Sequence, residues 1–340
     1  MKYSAKSSWK NNRIQRLYLA GILFAMCSAA LGILLGSAPL SLSEMAAALH
    51  RGAPASPGSR ILLYSRLPRT LAALCCGAAL SVSGAVIQGV LANRLASPSI
   101  IGVNAGAGLA VTVCTAFGIL GGWQLSLWAF LGAFSAVMLV SLGAQHWGAS
   151  RSTVILMGVA MNALLGAVTD TVTTFLPEVS VMSNHFRVGE FSAVSYQRLL
   201  PAMFLILLVI GALHTLHNEL DVLTLGEEAA EGLGLHTTLL RNLFLLFAAL
   251  LAGCAVSLAG LLSFVGLLIP HAVRRVAGSK ASHLLGLCGL YGAGFVCLCD
   301  TLARTVFSPY EIPVGIFMAY LGAPFFLYLL IRGKGGRGHA

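Results

Sequence analysis

About ten apolar runs, each near the length of one bilayer crossing, constrain this sequence more than any other feature. They lie at 17–36, 67–91, 99–118, 123–144, 152–176, 197–216, 238–259, 261–277, 284–306 and 313–332, joined mostly by short connections. A hydrocarbon core of about 30 Å is crossed by roughly 20 apolar residues of helix. Of the 340 residues 9% are charged and 57% hydrophobic, whereas a soluble domain carries about 25% charged residues. Water is not the main solvent of such a chain. The expected fold class is all-α, a single polytopic membrane domain of about ten transmembrane helices over 17–332. A basic cytoplasmic tail precedes it at 1–16 and a short cytoplasmic tail follows at 333–340.

Lys and Arg number 21 against 11 Asp and Glu, an excess that in a soluble protein would suggest nucleic acid. Here the charges fall between apolar runs and read as topology signals, so no nucleic-acid partner is expected. Lys2, Lys6, Lys10, Arg13 and Arg16 precede the first run with no acid among them. A cleaved signal peptide is the alternative, with small residues at Ser37 and Ala38 as a site, but the basic region is long for one and further spans follow. With the N-terminus inside, fourteen basic residues fall on the cytoplasmic side and seven outside: Arg51, Arg60, Arg66, Arg69, Arg187, Arg198 and Arg304. That bias predicts both termini in the cytoplasm.

The eight cysteines all sit inside apolar runs. Neither Cys75-Cys76 nor Cys297-x-Cys299 has the His, Cys or carboxylate companions of a zinc site, so they read as small hydrophobes and no metal site is expected. The 38 glycines recur at small-residue spacing in Gly102-x3-Gly106 and from Gly253 to Gly260, which lets helices approach closely in lipid. The segments Arg69 to Gly89 and Arg241 to Gly266 echo each other weakly and would run in opposite directions, as in an inverted repeat.

The cytoplasmic connection from His214 to His236, with a coupling loop at about 217–237, holds five of the eleven acids. Thr224-Leu-Gly-Glu227 fits a capping box, Glu227 and Glu228 suit the positive end of a helix dipole, and Gly232 and Gly234 are stop signals. A short helix across the cytoplasmic face is expected. Its apolar residues Leu223, Leu225, Ala229, Ala230, Leu233 and Leu235 need a partner surface. No Gly-x4-Gly-Lys-Ser/Thr loop occurs, and Gly278-Ser-Lys280 and Gly333-Lys-Gly lack the phosphate cradle. Any ATP is therefore expected to be hydrolysed by another subunit.

Seven strings, in order from about residue 60 to 330, resemble the iron-chelate and cobalamin (FecCD-type) permeases of ABC importers. They are Arg66-Leu-Pro-Arg-Thr70; Ser83-Gly-Ala-Val-Ile-Gln-Gly89; Asn93-Arg-Leu-Ala-Ser-Pro98 with Gly102-Val-Asn-Ala-Gly106; Leu225-Gly-Glu-Glu-Ala229 with Leu233-Gly-Leu235; Phe264-Val-Gly-Leu-Leu-Ile-Pro-His271; Asp300-Thr-Leu-Ala-Arg304; and Glu311-Ile-Pro-Val-Gly315 with Gly322-Ala-Pro-Phe-Phe326. The resemblance implies a type II ABC importer permease fold in the bacterial cytoplasmic membrane. It also implies a second permease copy, two cytoplasmic ATPase subunits that use ATP and Mg, and an extracytoplasmic binding protein, with no cofactor held by this chain.

Residue by residue, the resemblance makes Arg66, Arg69 and Arg304 acceptors of acidic side chains on the binding protein, with anchoring to lipid phosphates as the alternative. It makes Leu225, Gly226, Glu227, Glu228, Ala229, Leu233 and Gly234 the element that seats in the ATPase. Asn93, Pro98, Pro270 and His271 stand as gating or structural positions. The segment from Ser183 to Glu190 departs from the family pattern, and Arg94 interrupts its Asn-Pro-Leu. A ferric siderophore is the expected cargo, with haem or cobalamin as alternatives. A secondary transporter is the rival class, but Asp170 and Asp300 fall toward the outer ends of their spans, leaving no mid-membrane relay. A membrane enzyme is weaker still: His271 has no ligand partner at helical spacing, and His214 and His217 border a solvated loop.

Overall fold

The computed structural model describes residues 2–37, 57–147 and 150–334; Ala38, Arg51 and Arg337 lie outside the described residues. Among the described residues the chain is helical with no strand. In order the helices are α1 (Lys2–Leu34), α2 (Pro57–Val90), α3 (Val103–Ala116), α4 (Gly122–His146), α5 (Arg151–Phe175), α6 (Pro177–Val188) and α7 (Tyr196–Thr215). Then follow α8 (His217–Thr224), α9 (Glu227–Gly232), α10 (Thr237–Ala259), α11 (Val265–Ala277), α12 (Ala281–Thr305) and α13 (Val314–Lys334). Seven of them (α1, α2, α4, α5, α7, α10 and α12) are long and apolar enough to cross a membrane. The ends of the helices that the charge bias puts outside are termed outer.

Two of the remaining three expected spans are shorter helices. Runs 99–118 and 261–277 give helices of 14 and 13 residues, because each begins late, after a residue in the left-handed region: Gly102 at φ 98° and Phe264 at φ 70°. The basic segment from Lys2 is helical and continues into the first span.

Lipid offers apolar side chains no reward for leaving it, so helices in a bilayer associate through close packing and hydrogen bonds. Helices α2 and α10, the pair that echo each other in sequence, form the centre, flanked by α12, α4 and α11. A Cβ on Gly84 would strike the carbonyl of Gly266 in α11, and one on Gly77 the carbonyl of Gly292 in α12. Ser83 Oγ donates to the Ala248 carbonyl of α10 at 2.8 Å, and Ser81 Oγ to the Cys288 carbonyl of α12 at 2.6 Å. The expected close approach at Gly106 is present, against Gly132 of α4. By contrast, only 11% of the α5 span is buried.

Candidate functional site

At the outer end, α1, α2 and α12 converge on one ionic cluster. Arg69 in α2 grips Asp300 of α12 with Nε at 3.0 and 3.1 Å and Nη2 at 2.9 Å, while Nη1 reaches Glu311 at 2.8 Å. Asp300 is 1% exposed and Arg304, one helical turn on, lies 3.6 Å from it. Arg304 also donates to the Gly32 carbonyl of α1. Arg66 sits in a π-helical turn at Leu62–Arg66 and donates to the carbonyls of Ile33 and Leu34, at 2.9 and 2.7 Å, two of the orphan acceptors at the end of α1. Ser37 closes the cluster with a 2.7 Å bond to Glu311.

This geometry places Arg66, Arg69 and Arg304, the expected docking residues, together at one end of the bundle. The three are 3%, 8% and 3% exposed and are engaged within the chain. An incoming carboxylate could reach Arg69 only by replacing one already there. The partners Asp300 and Glu311 were missed from sequence as members of the site. The i, i+4 spacing of Asp300 and Arg304 was the available signal. Burial opposes charge on Glu311, but hydrogen bonds from Ser37 and Arg69 and the charges of Arg69 and Arg304 outweigh it, holding its carboxyl below the ordinary value.

At the inner end lies the expected cytoplasmic element, as two short helices. The capping box is corrected: Thr224 turns back to the Asp221 carbonyl at 2.6 Å, and Gly226, at φ 123°, caps α9 without a side-chain bond. The stop signal is where it was expected. Leu235 N donates to the Ala230 carbonyl and Gly234 N to Glu231, with Gly234 at φ 82°, the paired bonds of a Schellman ending. Of the apolar residues expected to seek a partner, Leu223 and Ala230 pack inward, while Leu225, Ala229 and Leu233 are exposed.

Helix α8 fastens this platform to the bundle. Leu220 packs at Gly89, Asp221 Oδ1 accepts the backbone N–H of Ala281 at 2.7 Å and so caps α12, and Arg151 of α5 bonds the Leu223 carbonyl at 2.7 Å. An open cleft between Arg151, Ser152, Leu225, Gly226, Glu228 and Ala229 lies beside it, about 480 Å³ in volume.

The gating candidates lie between the platform and the helix breaks. Asn93 Oδ1 accepts from Leu95 N at 2.9 Å and shapes the turn after α2, and Pro98 packs near Gly266. Pro270 is buried in α11 and His271 beside it is half-buried. Gln88 donates to the Gly266 carbonyl at 3.1 Å and accepts from Arg274, which ties α2 to α11. Among the described residues no three His, Cys, Asp or Glu side chains gather as metal ligands.

Comparison with known proteins bears on this arrangement. Residues 20–332 match the model of the FecCD transport family. The uncharacterized ABC transporter permease protein YvrB of Bacillus subtilis is 36% identical over 96% of this chain and 97% of its own length. The achromobactin transport system permease protein CbrC of Dickeya dadantii is 35% identical, covering 94% and 92%. The vitamin B12 import system permease protein BtuC of Yersinia pseudotuberculosis is 37% identical, covering 82% and 84%. A solved metal-chelate type ABC transporter, in an inward-facing conformation, superposes with a TM-score of 0.83 at 30% identity, covering 94% of this chain and 99% of that one.

Proposed function

The chain belongs to the FecCD transport family, and from that premise we propose that it forms the membrane path of an ATP-driven importer for a metal chelate, with a ferric siderophore as cargo. A second permease copy, two cytoplasmic ATPase subunits and an extracytoplasmic binding protein complete the importer. It sits in the bacterial cytoplasmic membrane with both termini inside. ATP and Mg belong to the ATPase partners. The chain itself holds no cofactor.

The observation that carries this reading is the platform at α9. A helix closed by a Schellman ending, fastened to three spans through α8, holds Leu233 65% exposed and Leu225 69% exposed. Apolar side chains held rigidly away from the bundle suit a protein partner. Helix α5 supports the same reading. It is a full-length span with little burial, yet it carries Asp170, Thr171 and Thr174 exposed. A carboxylate facing hydrocarbon costs several kcal/mol, so this face suits an aqueous path shared with a second copy.

The siderophore reading draws on the achromobactin permease, and a corrinoid is the second reading because the vitamin B12 permease is equally similar. Binding-protein docking, in this scheme, proceeds by exchange: an acidic side chain displaces Glu311 from Arg69 while Asp300 keeps its grip. The test is uptake of an iron-labelled siderophore and of labelled cobalamin by cells with and without the chain. Iron uptake that depends on the chain is expected. Dependence of cobalamin uptake alone would overturn the cargo, and uptake sustained without ATP by a proton gradient would overturn the importer class.

A further inference from the structure

Between the outer ends of α4, α7 and α10 runs an open groove of about 540 Å³, whose walls include Trp123, Phe130, Pro201 and Leu205. Two polar groups line it without partners to match them. Ser126 is 8% exposed and its Oγ has no hydrogen-bond partner. Arg198 donates to the carbonyls of Ala193 and Ser257, at 2.9 and 3.0 Å, but its Nε is buried with no acceptor. No carboxylate pairs with Arg198 among the described residues. Carbonyl oxygens orient a guanidinium but leave its charge uncompensated, and a charge taken from water is costly until it is paired.

The environment specifies the missing partner. The exposed Leu127 lines the groove, and Leu200 and Phe204 are exposed on the helix that carries Arg198. Arg198 and Ser126 stand in the first turn or two of their helices, at the depth where headgroups meet hydrocarbon, and Trp123 is an interfacial residue type. A ligand for this site needs an anionic head that accepts from a guanidinium and a hydroxyl, and an apolar body to lie along Phe130 and Leu205. A larger groove of about 720 Å³, along α3 and α4, has no charged side chain and makes no comparable demand.

We propose that the groove is a binding site for one anionic phospholipid of the outer leaflet, its phosphate at Arg198 and Ser126 and an acyl chain along α4 and α7. Charge-assisted bonds to Arg favour phosphate, and the apolar walls favour a diacyl lipid over a free ion. The bound lipid ties α7 to α4 and α10 at the outer end.

The test is native mass spectrometry of the full chain, purified in detergent and titrated with phosphatidylglycerol, phosphatidylcholine and glycerol 1-phosphate. Expected is one tightly held phosphatidylglycerol per chain, with phosphatidylcholine about tenfold weaker and no displacement by glycerol 1-phosphate. Losing one charge-assisted partner costs about tenfold in affinity, so Arg198→Gln should weaken retention by that factor. Leu205→Trp, which fills the groove and leaves the charge untouched, should do the same in a chain that still elutes as a single species. Unchanged retention in either variant overturns the proposal. Displacement by glycerol 1-phosphate would make the ligand a free phosphate anion. Loss of dimer with an unchanged lipid count in Leu205→Trp would make the occupant a second copy of this chain. Either result also overturns it.

Discussion

Asp300 holds the outer cluster together because it is the acid that both Arg69 and Arg304 share inside the bundle. Removing one member of a buried pair leaves the other charge desolvated and alone, at a cost of about 3–5 kcal/mol. Asp300→Asn is therefore expected to lower the thermal unfolding midpoint in detergent strongly, and Arg69→Ala similarly. Reversing Arg69 to Glu would set a third carboxylate against Asp300 and Glu311, so loss of docking in that variant would report collapse of the cluster. Glu311 offers the milder probe. Its folded pKa is depressed, so its contribution is complete above the carboxylate range of the unfolded chain and is lost as pH falls through the lower folded value. Unfolding midpoints from neutral to acid pH should fall, and Glu311→Gln should flatten part of that fall. An identical pH profile in the variant would show that the cluster does not draw on this carboxylate.

At the scale of the element, glycine positions with and without near neighbours make opposite predictions. Gly84 lies against the Gly266 backbone, whereas a side chain at Gly211 meets nothing within 4 Å. Gly84→Leu should force α2 and α11 apart and abolish recovery of folded protein, and Gly211→Leu should leave it unchanged. Helix α9 is tested through Leu233→Arg. Seating an unpaired charge at an apolar joint costs several kcal/mol, enough to weaken the joint by orders of magnitude. Uptake should be lost with membrane insertion intact. Normal uptake together with normal ATPase co-purification would remove the platform from the coupling role. The end of the platform was legible in sequence, because Gly234, one of the two expected stop signals, takes a φ value that other residues resist. Its capping box was not, because a Thr hydroxyl can reach the Asp221 carbonyl of its own helix as easily as an N–H ahead of it.

For the whole molecule, the expected outcome is inertness in isolation. The purified chain should hydrolyse no ATP, and ATPase activity should appear only with added partner subunits. Activity in a preparation proven free of them would break the importer reading. Helix α5 adds a geometric expectation. With 11% of its span buried and Asp170 exposed near the outer end, it should be covered by a second copy. Cysteines placed at Ala163 or Ala167 should crosslink between chains in membranes, and crosslinking confined to lipid-facing sites on α7 would contradict that arrangement.

The sequence alone determined the solvent, the helical class, the approximate place of every span and the family strings, because hydrophobic run length and local turn chemistry are properties of neighbouring residues. It also marked Arg66, Arg69 and Arg304 as the outer positions to explain. It did not decide what those arginines do. The partners of Arg69 stand 231 and 242 residues away in Asp300 and Glu311, those of Arg66 stand 33 and 32 residues back at Ile33 and Leu34, and Arg304 reaches 272 residues back to Gly32. Whether a charge at a helix end faces headgroups or an acid depends on which helices pack beside it. That packing is set by the Gly77 and Gly84 contacts, which bring α12 and α11 onto α2 and turn the arginines inward. Arg198, on the same outer side, meets only carbonyls and an apolar groove, and only the tertiary structure separates it from the other three.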